Sequence, residues 1–208
     1  MNIKRCKLII TAVVLSQFIF FSGCKTGLRS EINPELNQAK TLAVFPFISM
    51  AGSHDDPLGH ERVQENASSA MTEHLVTALR SKTNLSVRLQ PELSPEDLKT
   101  LNSGSLPENW AVSGDAVLIG RLFYFRDRKG GNYAVSDPSK VAFDVKIIGI
   151  PDGKVLYYGE FAETQKPLLS NMMTLKTFFK RKGRWVTAEE MAFSALDEII
   201  EDFVGKNP

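Results

Sequence analysis

Cysteine is nearly absent from this chain of 208 residues: it has two, Cys6 and Cys24, both within the first 24 positions. The remainder can form no disulfide framework and offers no thiol nucleophile. Histidine is scarce, with three in all, and the formal net charge is only +1, so the charge balance does not suggest nucleic acid as a partner. There is no Gly-x-Ser-x-Gly segment, no convincing pair of acids, no internal repeat and no glycine-rich loop opening a helix; Gly114, Asp115 and Gly120 have the wrong spacing and precede a strand. These absences predict a non-catalytic protein that needs no cofactor and no metal. The apolar content of 43% is enough for a real core, and the length suits one domain with tails.

There is one long apolar run. Leu8 to Phe21 is interrupted only by Thr11, Ser16 and Gln17, follows Lys4, Arg5 and Lys7, and ends in the small residues Ser22 and Gly23 before Cys24. A basic start, an apolar middle and a small-residue exit mark a secretion signal. The run spans roughly 21 Å as a helix at ~1.5 Å per residue, short of the ~30 Å hydrocarbon core.

Phe21-Ser22-Gly23-Cys24 resembles the bacterial lipobox, with Phe where Leu is usual. The resemblance implies cleavage before Cys24 and acylation of its thiol, with palmitate-type chains holding the protein to a membrane. Residues 1–23 are then a signal peptide, and the mature chain 24–208 has 22 basic and 24 acidic residues, a net of −2. Lys25, rather than Asp, follows the cysteine, which by the enterobacterial pattern implies the outer membrane, facing the periplasm. Residues 24–40 are polar, contain Pro34 and read as a lipidated, flexible tether; 41–208 read as a single globular domain.

Within that domain, Thr41–Ile48 is a strand apolar on both faces, ended by Pro46. His60–Ser81 places Val63, Ala67, Met71, His74, Leu75 and Ala78 on one helical face, which makes His74 a core-edge residue. Ser94-Pro95-Glu96-Asp97 starts a second helix. Strands are expected at 85–89, 115–126, 140–150 and 155–165, the last two joined by Pro151-Asp152-Gly153-Lys154. Two C-terminal helices follow: Lys166–Arg181, and one opened by the capping box Thr187-Ala188-Glu189-Glu190. The expected fold is α/β (α+β): a mixed sheet of about five strands covered by helices.

Three segments, Thr41–Phe47, Gly114–Gly120 and Val145–Lys154, together resemble the envelope lipoprotein family that includes the curli-secretion channel lipoprotein, the lipoprotein activators of penicillin-binding proteins and the TolB N-terminal domain. The connection Asp127–Ser139 is too short and charged for the membrane hairpins of the channel. What the resemblance implies is an accessory or assembly factor that binds another envelope component, a protein or peptidoglycan-associated partner, with homo-oligomers within its range. A subunit of an oligomeric secretion complex and an envelope hydrolase are the alternatives.

Two clusters are candidates for more than folding. His54, Asp55, Asp56 and His60 share a loop and are zinc-ligand types, but no distant third histidine completes a site. Lys176, Lys180, Arg181, Lys182 and Arg184 surround Phe178, Phe179 and Trp185, a patch suited to anionic head groups, wall carboxylates or an acidic partner. The remaining acids, Glu189, Glu190, Asp197, Glu198, Glu201 and Asp202, read as the solvated side of the last helix. Replacing Cys24 with Ser is expected to yield protein without acyl mass that leaves the membrane fraction, read by intact mass spectrometry and fractionation. A wild-type protein that retains Met1 overturns the assignment.

Overall fold

Leu42, Ala43, Val44 and Phe45 are all buried, which is why Thr41–Val44 (β2) sits inside a sheet with apolar material on both sides. The computed structural model describes residues 27–50, 66–102, 107, 114–131, 135–165 and 185–205. Among these, the elements in chain order are β1 (Gly27–Ile32), a 3₁₀ turn (Pro34–Gln38), β2, β3 (Ile48–Ser49), α1 (Ala67–Lys82), β4 (Ser86–Leu89), α2 (Pro95–Asn102), β5 (Ala116–Arg126), β6 (Lys129–Gly130), β7 (Val135–Asp137), β8 (Lys140–Gly149), β9 (Val155–Thr164) and α3 (Ala188–Gly205). Seven strands form one mixed sheet in the order β1-β9-β8-β5-β2-β4, with the short β3 paired to β5, and β6-β7 form a separate ribbon. The β2 pairings are parallel and the β5-β8-β9-β1 pairings antiparallel.

The sheet is thus larger than the five strands expected. The additions are β3 and β1, and β1 corrects the reading of residues 24–40 as a flexible tether from Gly27 onward, residues 24–26 lying outside the described residues. Gly27–Ile32 pairs along β9 from Ala162 to Tyr157. Leu28 and Ile32 alternate inward against the main core, and Leu36 of the 3₁₀ turn is buried there too. Asn33 caps that turn by accepting from the Glu35 amide at 3.0 Å, and its own N–H donates to Leu156 O at 2.8 Å. Among the described residues the fold therefore already includes Gly27–Gln38, ahead of Thr41. Of the two C-terminal helices expected, the first lies outside the described residues.

α1 and α3 lie on one face. Met71, Leu75 and Leu79 of α1 and Met191, Leu196 and Ile199 of α3 meet Leu42, Leu118, Phe143, Ile147 and Tyr157 in the main core. His74, at their contact, stacks on Phe193 at 4.1 Å with Nε2 3.3 Å from Asp197 Oδ1, as a core-edge residue. On the other face Ala43, Phe45, Val117, Ile119 and Ile148 form a smaller cluster with Leu101 of α2.

The segments that carried the family resemblance meet physically. Asp115 Oδ2 accepts from the Lys40 and Thr41 amides at 2.8 Å each, clasping the start of β2 to that of β5. Those two bonds, Lys40 first, hold its carboxyl below the ordinary range. The Phe47 ring lies across Gly120: a Cβ there would stand 2.6 Å from Phe47 Cζ, closer than real contacts allow. Gly153, at φ +71°, closes the β8–β9 turn in the left-handed region that glycine enters freely. Gly120→Ala is expected to destabilise the protein by about 1–3 kcal/mol through this overpacking. Combining it with Phe47→Leu should recover part of the loss in urea unfolding; equal stability of Gly120→Ala and wild type would show that the ring has room.

Candidate functional site

The antiparallel half of the sheet presents its outer face without a helix over it among the described residues. The alternation of β8, with Val141, Phe143, Val145 and Ile147 buried toward α1 and α3, sends Ala142, Asp144 and Lys146 to that face. The pairing register then sets Arg121, Asp144, Glu160 and Arg29 side by side across β5, β8, β9 and β1. Arg121 is held bidentately: its Nε donates to Asp144 Oδ1 at 2.9 Å and its Nη2 to Asp144 Oδ2. Asp144 is only 2% exposed despite its place on an open face, because the guanidinium covers it.

Two aromatics flank the pair. The unpaired position in the irregularity between Leu122 and Tyr124 is Phe123, whose ring centre lies 5.4 Å from the Arg121 guanidinium carbon. Tyr158 stands on the neighbouring strand; burial first, then the carboxylates of Asp144 and Glu160, push its hydroxyl above the ordinary value, so it remains a neutral donor at physiological pH. Arg121, Phe123, Asp144, Tyr158 and Glu160 line a shallow concavity of about 350 Å³. A second groove of about 730 Å³ runs between α1 and the β4 edge, past Thr72, Val76, Arg80 and the exposed Leu89.

The sheet end where β5 and β9 finish is fixed by a polar lock. Asp127 Oδ1 accepts from the Ala188 amide at 3.0 Å, the first helical N–H of α3. Ser139, fully buried, donates to Val186 O at 2.7 Å, and Gln165 Oε1 accepts from the Val186 amide at 3.0 Å. Arg128 Nη1 donates to Trp185 O at 2.7 Å. The expected capping box closes as read, with Thr187 N donating to Glu190 Oε2 at 3.0 Å and Glu190 N to Thr187 Oγ1 at 3.1 Å.

Of the residues singled out from sequence, Phe21, Ser22, Gly23 and Cys24 lie outside the described residues, as do His54, Asp55, Asp56 and His60. So do Lys176, Lys180, Arg181, Lys182 and Arg184; only Trp185 of that patch is placed, half-buried beside Arg128. Among the described residues, no group of three or more His, Cys, Asp or Glu side chains is placed to hold a metal ion, and no helix is long and apolar enough to cross a membrane. The Arg121–Asp144 face was not read from sequence. Asp144, the single acid of β8, was its one visible sign, since the partner is 23 positions away.

Arg121→Met should leave a buried carboxylate without its bidentate partner, at a cost of about 3–5 kcal/mol. Adding Asp144→Leu should restore most of that in urea unfolding at neutral pH. A double variant no more stable than the single one would show that the pair does not act as a unit.

No family model matches the chain, and no curated protein matches it. Solved structures do. The PelC dodecamer from Paraburkholderia phytofirmans superposes with a TM-score of 0.50 at 14% identity, over 85% of this chain and 95% of that one. The hypothetical protein CT253 from Chlamydia trachomatis has a TM-score of 0.47 at 14% identity, over 80% and 99%. Lipoprotein GNA1162 from Neisseria meningitidis has a TM-score of 0.36 at 13% identity, over 68% and 96%. At these identities the likeness concerns the fold alone: the chain is built like PelC.

Proposed function

We propose that the protein is a lipid-anchored accessory factor of the bacterial envelope, held by Cys24 and acting by binding a partner rather than by catalysis. The observation that carries the binding reading is the outer face of β5, β8 and β9. A surface built from an arginine and two aromatics, on strands braced from behind by the main core, has the residue types and rigidity of an interface centre. The charge on Arg121 is neutralised in place by Asp144, so a partner covering the pair does not have to desolvate a lone cation. The location proposed is the periplasmic side of the outer membrane, from the lipobox-like Phe21–Cys24 and Lys25.

A second reading has its own observation: the PelC structure is a dodecamer, so the partner of this face is then another copy of this chain, within an oligomeric envelope complex. One experiment separates the two. A photo-crosslinking amino acid at Phe123 is expected to give a discrete adduct in cells, while the same group at the exposed Asn84 on the opposite sheet end gives none. An adduct at twice the protomer mass identifies self-association, and any other discrete mass identifies a separate partner. Labelling at neither position, or equally at both, would remove this face from the function.

A further inference from the structure

We infer that the sheet end where β1 begins rests against the bilayer, so that Lys129, Lys140 and Trp185 face lipid head groups and the β8–β9 turn and the α1–β4 turn point away. The inference rests on the proposed lipidation of Cys24 and adds to it an orientation. The reason is the length of the leash. From Cys24 to Gly27, the first residue of β1, there are three residue steps, at most ~11 Å when fully extended. The antiparallel register fixes which end that is: Gly27 pairs with Ala162, near the finish of β9, and Ile32 with Tyr157 toward its start. At the same end β5 finishes at Arg126 opposite Lys140, where β8 starts. β5 has 11 residues and so runs about 35 Å at ~3.3 Å per residue, several times the reach of the leash. The domain therefore cannot stand on its far end with the near end away from the bilayer.

The chemistry of the near end suits that position. Lys129 is exposed on the β6–β7 ribbon, and Lys140 Nζ lies 5.5 Å over the Tyr124 ring. Trp185, held by Arg128 through its carbonyl, has the amphipathic ring found at membrane–water interfaces. The same orientation leaves the Arg121–Asp144 face upright and open to a periplasmic partner.

The test uses the full lipidated protein in vesicles of phosphatidylethanolamine and phosphatidylglycerol carrying a head-group nitroxide lipid. A fluorophore is attached at Lys129→Cys or, in a separate variant, at Asn84→Cys, both exposed positions. Several-fold stronger quenching at position 129 is expected, and equal or stronger quenching at 84 overturns the orientation. Inserting twenty Gly/Ser residues before Gly27 gives a leash of roughly 25 Å root-mean-square length and should reduce the difference. A difference unchanged by the insertion would show that the leash does not set the orientation and would overturn the inference. Intact mass is read on the same samples: protein lacking acyl mass removes the anchoring reading and the orientation with it, whereas acylated protein with equal quenching removes the orientation alone.

Discussion

The missing side chain at Gly120 is the constraint on which the middle of the structure depends. It lets the Phe47 ring lie flat on β5, 6.0 Å from Phe143 in an edge-to-face contact, while the Phe47 amide donates to Thr72 Oγ1 of α1 at 2.8 Å. One ring thus joins the end of β2, the centre of the sheet and the covering helix. Pro46 just before it interrupts the ladder, and the chain rejoins β5 only at Ile48 opposite Arg121. Without a flat seat at Gly120 the aromatic would have to leave the layer, and β2, β3 and α1 would lose their common contact.

That arrangement divides the two faces of the sheet by task. The face under α1 and α3 is closed by large apolar side chains and supplies most of the buried area. Among the described residues, the other face is covered by α2 only over β2, the start of β5 and the end of β8, which leaves most of the antiparallel half to polar chemistry. Asp144 illustrates the consequence. A buried carboxylate is expensive alone, and it persists because Arg121 meets both of its oxygens from the adjacent strand. An ion pair of this kind gains little stability over a well-packed apolar substitute, yet it presents a fixed, neutral, hydrogen-bonding surface flanked by rings, which an apolar pair does not.

Local signals in the sequence were strong where one segment contains its own explanation. The Thr187–Glu190 box and the Ser94 cap, with Asp97 N donating to Ser94 Oγ at 3.1 Å, form as their spacing requires, and the strands at β5, β8 and β9 fall within a residue of their apolar runs. Features that depend on register were not legible. β1 reads as polar because only Leu28 and Ile32 face the core and the residues between them are Arg29, Ser30 and Glu31; its pairing with β9 reveals the alternation. The row Arg121, Asp144, Glu160 and Arg29 comes from four strands and has no signature in any of them. Asp115 could be seen as part of a recurring segment, but its purpose, two backbone amides at the head of β2, appears only once β2 and β5 are parallel neighbours.

The correction at β1 alters the functional argument more than the strand count. A flexible leader of seventeen residues would let a lipid-held domain sample any orientation and reach partners far from the bilayer. A strand that begins three residues after the proposed lipidation position, Cys24, would make the edge of the fold and the base of the anchor the same piece of chain. Ser30 of that strand donates to Asp202 of α3, and Lys154 of the β8–β9 turn pairs with Glu35 just beyond it, so the segment is tied to the domain along its length. Under the proposed lipidation, the short leash would set which end of the rigid sheet is held at the membrane, and a proposed partner would meet the open, charge-balanced face there.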